Sequence, residues 1–383
     1  MTATDVVLER IARRGPVPVS EVVEVALYHP EFGFYETGGS AGRRTGDFLT
    51  SPEVGPLFGA VVARALDAWW RDWGEPDPFL VIEAGAGPGT LARSVVAAKP
   101  DCVTSLRYVL VDRSAAQRRQ HAAHLPLELP ALVLPPMDAE TQQPVPEAPP
   151  GPLCTSLAEL PRIAGTPAVV LANELLDNLP FDLAQCTASG WHEVLVGRGS
   201  DDVGPLDEVL VPLDDTRTAI LDRLIPEAAP GVRAPLPTAA TAWLREALST
   251  AGGGTRGRVV VFDYARTTAQ LAARAQDAWL RTYRSHAPGR GYLQDLGQQD
   301  ITCEVALDQL ALVQAPAADR SQGEWLRAWG LDELVAEGER TWSERAHLGD
   351  LAAVAARSRL TEAQALADPT GLGAFRVVEW TTR

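Results

Sequence analysis

The chain has 383 residues, 46% hydrophobic and 22% charged, which suits a water-soluble globular protein of one large domain with insertions or of two domains. Its net charge of -16 leaves no general basic surface for a phosphate backbone, so nucleic acid is not an expected partner. The four cysteines, Cys102, Cys154, Cys186 and Cys303, form no CxxC pair, which excludes a zinc ribbon or dithiol motif and fits a reducing cytosol.

The N-terminal MTATDVVLERIARRG carries charges among its apolar residues and has no h-region, so no signal peptide is expected. No 18-residue apolar run suggests a membrane span, and a cytoplasmic location is the expectation. Val7, Leu8 and Ile11 predict a helix over 4–14 that stops at Gly15-Pro16. A second short helix is expected behind Ser20 as its N-cap. The aromatic stretch from Ala26 and the segment GRRTGDFLTSPE read as loops; Arg43 and Arg44 are taken as solvated charges, with binding of an acidic group as the alternative. An apolar helix is predicted from about Pro56 to Trp73, and its Trp69, Trp70 and Trp73 read as packing residues.

Strand and helix then alternate: Phe79–Glu83, Gly89–Ala98, Arg107–Asp112 and Ser114 to about His124. Alternation at this spacing implies a parallel sheet with helices on its faces. Residues 135–152 read as an irregular, proline-rich connection. Ala168–Ala172 is a buried-type strand, with a short strand over Trp191–Val196 beside it. Residues 198–256 are acidic and rich in Pro and Gly, with one helical pattern around Ala239–Leu248, and read as an insertion. Strands are predicted again over Arg258–Tyr264, Ala311–Gln314 and Phe375–Thr381.

The stretch VIEAGAGPGTLA carries the first chemistry. Without a Gly-Lys-Ser/Thr it is no P-loop. A dinucleotide fingerprint wants a third glycine at position 90, but the sequence has Gly85, Gly87 and Gly89, with Thr90 following. An acid at the end of the first strand, Glu83, followed by G-x-G-x-G is the order found in doubly wound enzymes that use S-adenosyl-L-methionine. Asp112 ends the next strand, where a carboxylate can accept from both ribose hydroxyls. S-adenosyl-L-methionine is therefore the expected cofactor, with NAD(P) as the rival. A second constellation, LANELLDNLP, sets Asn173, Glu174 and Asp177 where a buried strand runs out. Open parallel sheets bind ligands at that end. Two carboxylates and an amide there suit a cationic substrate nitrogen, by bidentate pairing or proton acceptance. The alternative is an acid cluster that complements a helix N-terminus.

Taken together, YHPEFGFY (28–35), GDFLTSPEVGPLFG (46–59), EAGAGPGTLA (83–92) and ANELLDNLP (172–180) resemble the MidA-like family. That family comprises S-adenosyl-L-methionine-dependent protein arginine methyltransferases and includes the mitochondrial complex I assembly factor. GWHEVLVG (190–197), VFDYAR (261–266), DIT (300–302), SQGEWLRAWGL (321–331) and GLGAFRVVEW (371–380) are further points of similarity. The resemblance implies that Gly85, Gly87, Gly89 and Thr90 form the cofactor loop, with Glu83 and Asp112 as its acids. It implies that Asp47 and Thr50-Ser51-Pro52 line the pocket near the methyl group. Asn173, counted also among the cofactor contacts, would face the substrate with Glu174 and Asp177, and Asp47, Glu174 and Asp177 are the candidate catalytic residues. The chain departs from the family's pattern after Pro52, at Phe181-Asp182-Leu183-Ala184, at Ala265 and at Glu304, where the family has histidine. These changes fall mostly outside the cofactor loop.

The expected fold is α/β: a seven-stranded, mostly parallel class I methyltransferase (Rossmann-like) sheet ending in an antiparallel strand. Residues 1–75 form an N-terminal helical and loop region, 76–197 the first part of the core, 198–256 a cap, and 257–383 the rest. The expected reaction is methyl transfer to a nitrogen, with an arginine on a partner protein as acceptor. Two alternatives stand: a small-molecule acceptor, or a non-catalytic assembly protein that keeps the cofactor for structure.

Overall fold

The run FLVIEA is buried at all six positions, the mark of a strand covered on both faces. It lies in the middle of a seven-stranded sheet in a computed structural model that describes residues 1–38, 50–134, 149–163, 165–200, 204–253, 255–284 and 287–382. In chain order the strands of this sheet are β1 (Phe79–Ala84), β2 (Leu106–Val111), β3 (Leu153–Leu157), β4 (Ala168–Asn173), β5 (Gly257–Asp263), β6 (Ala318–Ser321) and β7 (Arg376–Thr382). Their spatial order is β3-β2-β1-β4-β5-β7-β6. The pairs from β3 to β5 are parallel, and β6 pairs with β7 antiparallel. The order reverses direction between β1 and β4, the switch point at which such sheets open a ligand crevice. β3 was not expected. Its LCTSL is short and mixed, and leans on β2 for its place.

The described residues fall into two compact units. One takes in those of Leu49–Asn173, Glu246–Phe262 and Pro316–Arg383; the other takes in those of Met1–Phe48, Glu174–Arg245 and Asp263–Ala315. These boundaries do not coincide with the four expected segments. The helix Pro56–Asp72 belongs with the sheet, because its Leu57, Phe58, Val61, Leu66 and Trp69 enter the core around β1 and β5. Trp69 meets the Trp325 and Trp329 rings at 6.5 and 5.6 Å, as packing residues should. Glu362 closes the N-terminus of that helix: it accepts the Leu57 N–H at 2.9 Å, and a Cβ at Gly55 would lie 2.3 Å from its Cδ.

In the other unit, Val17–Pro18, Gly190–Arg198, Asp182–Thr187 and Arg233–Leu236 lie side by side in one sheet, and Leu206–Pro212 pairs with Gly190–Arg198. The expected cap at 198–256 thus supplies strands to the same sheet as 182–198. It holds two helices, Asp215–Leu224 and Thr238–Gly252, where one was expected. Gly190–Arg198 is nine residues long and lies in this sheet, not beside β4 as expected. The second helix is Val19–Tyr28 with Pro18 in the cap position, so Ser20 is not the cap: its N–H donates to Asp182 Oδ1 at 3.1 Å. Ala311–Gln314, expected as a strand, follows a helical turn, Leu307–Leu310. A three-stranded sheet, Ala287–Pro288, Leu280–Arg284 and Asp300–Cys303, completes the unit. Among the described residues no helix is long and apolar enough to cross a membrane.

Candidate functional site

At the carboxyl end of β1 the chain turns through Gly85, Gly87 and Gly89 with φ of 69°, 53° and 89°, a region that costs any residue with a Cβ. A Cβ at Gly87 would find no atom within 4 Å. Gly87 therefore presents bare backbone to open space among the described residues, the geometry needed for close approach of a ligand, whereas a Cβ at Gly89 would lie 3.0 Å from Leu110 Cδ2. Thr90 begins the helix Thr90–Ala97 and is buried. Asn173 ends β4 one residue beyond Ala172, the partner of Ala84, and so sits across from the start of the loop.

Three side chains hold the loop. Asp112 accepts the Gly87 N–H at 2.8 Å with one oxygen and the Ser114 N–H at 2.9 Å with the other. Glu83 lies beneath the loop, 4% exposed, and accepts from the Tyr108 hydroxyl at 2.8 Å and from the Ala92 N–H. Burial pushes its carboxyl up to about 8 against those two hydrogen bonds. His121 was not anticipated. It is fully buried, its Nε2 is 2.8 Å from the Gly87 carbonyl and its Nδ1 2.8 Å from Ser156 Oγ. A carbonyl only accepts, so Nε2 carries the proton and the neutral ring's Nδ1 accepts from the hydroxyl. Burial lowers its pKa, in keeping with a neutral ring. No spacing rule pairs His121 with Gly87; only the packing of a helix residue against the loop reveals it.

Asp47 lies outside the described residues, as do Arg43 and Arg44. Ser51 is fully buried and donates to Gln322 Oε1 at 3.0 Å, and Thr50 and Pro52 are buried at the start of the short helix Ser51–Val54. This trio packs a helix entrance.

The second constellation belongs to the other unit. Glu174 follows Asn173 with φ of +50°, a left-handed turn that few non-glycine residues adopt. Asp177 is 4% exposed, and its Oδ1 has no hydrogen-bond partner among the described residues. Burial pushes its pKa well above the carboxylate range, and Asp263, Asp300 and Glu174 push the same way. Asp263 accepts the Leu176 N–H at 2.8 Å and the Tyr264 N–H at 2.8 Å; burial lifts it to about 7 despite them. Asp300 Oδ1 accepts from the Tyr35 hydroxyl and from the Asn178 side chain, each at 3.0 Å. Tyr28 stacks on Tyr35 at 5.6 Å and donates to the Asn178 carbonyl. Four acids thus gather with tyrosines around them, and the largest charge effects on Asp177 all come from other acids. Asp263 and Asp300 were seen in the sequence only as points of resemblance. The available signal for Asp263 was an acid at the carboxyl end of a buried strand, the same signal that marked Glu83.

A doubly wound sheet of this order, with a glycine loop after its first strand and an acid after its second, defines a Rossmann-like nucleoside-binding protein of the class I methyltransferase kind. Residues 61–322 match the family described as "Putative S-adenosyl-L-methionine-dependent methyltransferase", and the chain belongs to that family. It is 34% identical over 206 residues to a Drosophila melanogaster protein named protein arginine methyltransferase NDUFAF7 homolog, mitochondrial, covering 50% of this chain and 44% of the relative. It is 27% identical over 224 residues to the mouse protein arginine methyltransferase NDUFAF7, covering 56% and 50%. The matches span about half the length of these curated relatives. Among solved structures, a "likely methyl transferase" from Burkholderia thailandensis bound to S-adenosyl-homocysteine superposes with a TM-score of 0.78 at 26% identity, covering 100% of this chain and 92% of the other.

Proposed function

We propose that this chain transfers a methyl group from S-adenosyl-L-methionine to an arginine nitrogen on a partner protein. Gly85, Gly87 and Gly89 hold the donor, with Asp112 and Asn173 beside them, and Glu174 and Asp177 receive the acceptor. When bound, S-adenosyl-L-methionine supplies a sulfonium-activated methyl carbon and leaves as S-adenosyl-homocysteine. The open space over Gly87 and the positive φ values of the loop fit that donor. The observation that carries the acceptor's class is Asp177: a buried carboxyl among three other acids, with an oxygen unpaired. A guanidinium fills that need by two parallel hydrogen bonds. As the new N–C bond forms, the nitrogen's proton passes to a carboxylate of the cluster, and Asp263, lifted to about 7, is matched to accept it near neutral pH. The names of the relatives support an arginine acceptor.

The test is a calorimetric titration with S-adenosyl-homocysteine and NAD, followed by labelled methyl transfer onto arginine peptides and onto free small amines. Binding of S-adenosyl-homocysteine with label on arginine supports the reading. Preference for NAD, or label on small amines alone, sinks it.

A further inference from the structure

The strand Leu280–Arg284 pairs antiparallel with Asp300–Cys303, setting Tyr283 opposite Asp300 and Arg281 opposite Thr302. The period of two in strands puts these four side chains on one face. Asp300 belongs to the acid cluster. Glu304, next on the same alternation, lies just past the strand's end. It is 8% exposed and pairs with three arginines: Arg274 Nη1 at 2.7 Å, Arg281 Nη2 at 2.7 Å and Arg266 Nε at 3.1 Å. Among the described residues these three guanidiniums share one carboxylate, an excess of positive charge in the cluster. Arg274 and Arg281 are both anchored on the Ala278 carbonyl. Arg266 is 51% exposed and pairs with Glu304. In a chain of net charge -16, this is a basic site built beside an acidic one.

We infer that the acceptor carries a carboxylate close to the methylated arginine, and that Arg266, Arg274 and Arg281 read it. The inference rests on the arginine reading above. Two residues of strand rise about 7 Å, so the span from Asp300 to the Arg281 and Glu304 positions is about 7–13 Å. That span is bridged by one to four residues of extended peptide, which places the acidic residue within four positions of the arginine. Glu304 stands in for that carboxylate and keeps the three guanidiniums together until it arrives.

The experiment uses the full chain, labelled S-adenosyl-L-methionine, and peptides with one fixed arginine. Glutamate is placed at each position from four before to four after it, each peptide having a glutamine twin. At the best position kcat/KM for the glutamate peptide should exceed that of its twin by about tenfold, and high salt should erase most of the difference. Arg266→Gln and Arg281→Gln should lose the preference while S-adenosyl-homocysteine affinity holds. Glu304→Gln frees the arginines and should raise the preference; a merely structural role predicts only lower activity. Equal rates for every pair overturn the inference and leave arginine methylation standing. No labelled arginine peptide, with S-adenosyl-homocysteine still bound, overturns both.

Discussion

The glycine loop and the acid cluster both rest on carboxylates, yet their hydrogen bonding differs. At the loop, Asp112 commits both oxygens to amides, His121 both ring nitrogens, and Glu83 its carboxyl to a hydroxyl and an amide. At the cluster, Asp177 keeps an oxygen unpaired while neighbouring acids push its pKa up. A fully paired network holds backbone in place and needs no ligand to be stable. An under-paired acid cluster is costly by itself and is relieved by a cation. The first region fits the proposed donor site, the second the proposed acceptor site.

The sharpest break in this comparison is Gly87→Val. It puts a β-branched residue at φ +53° and fills the open space, so S-adenosyl-homocysteine affinity should fall by about 100-fold or more in calorimetry. A variant that binds normally would remove the loop from the site. Asp177→Asn should lower methyl transfer by about 100-fold with donor affinity intact, and raise apo Tm by about 2 °C, because an amide cannot add negative charge to the neighbouring acids. If Tm falls as well, the cluster is structural.

His121→Leu deletes the strut under Gly87 and should weaken S-adenosyl-homocysteine binding about tenfold, while His121→Gln, whose amide reaches the same carbonyl, restores most of it. The pH dependences should oppose one another. Glu83 and Asp263 hold protons in the folded state up to about 8 and 7, above their ordinary carboxylate values, so the folded state binds more protons than the unfolded one between about pH 4 and 8. Apo stability should therefore fall as pH rises through that window. The transfer rate should climb several-fold from pH 6 to 8 as the cluster ionises. A rate that is flat across this range would separate the acids from the proton transfer. The smallest effect is expected of Ser156→Ala, which leaves His121 Nδ1 without a donor and should weaken donor binding about two- to threefold.

Much of the sheet was legible, because β1, β2, β4, β5 and β7 are apolar runs bounded by turn residues, and local sequence reports burial on both faces. The loop was legible because its three glycines answer to backbone angles. What was hidden depends on partners far along the chain. Glu362 reaches a helix terminus 305 residues away, and Asn178 meets Asp300 across 122. The fourth acid of the cluster, Asp300, sits in an ordinary-looking DIT, and only the three-stranded sheet brings it to Asp177. The strands within 198–256 alternate weakly and carry exposed Leu210, so composition suggested a separate insertion where pairing makes one sheet.

The position of β7 has a consequence for how the chain is made. It lies between β5 and β6, although it follows both in sequence. While the ribosome works from β5 to residue 382, the flank of β5 that will receive β7 has no permanent neighbour. Glu362, which closes the Pro56–Asp72 helix, emerges equally late. At ordinary translation speeds the gap from β5 to β7 is on the order of 10 s. An apolar strand with an open edge for that time is a template for pairing with other chains. A chain stalled between β5 and β7 keeps that edge open, so slowing translation across residues 264–375 should lower soluble yield more than slowing it ahead of β1.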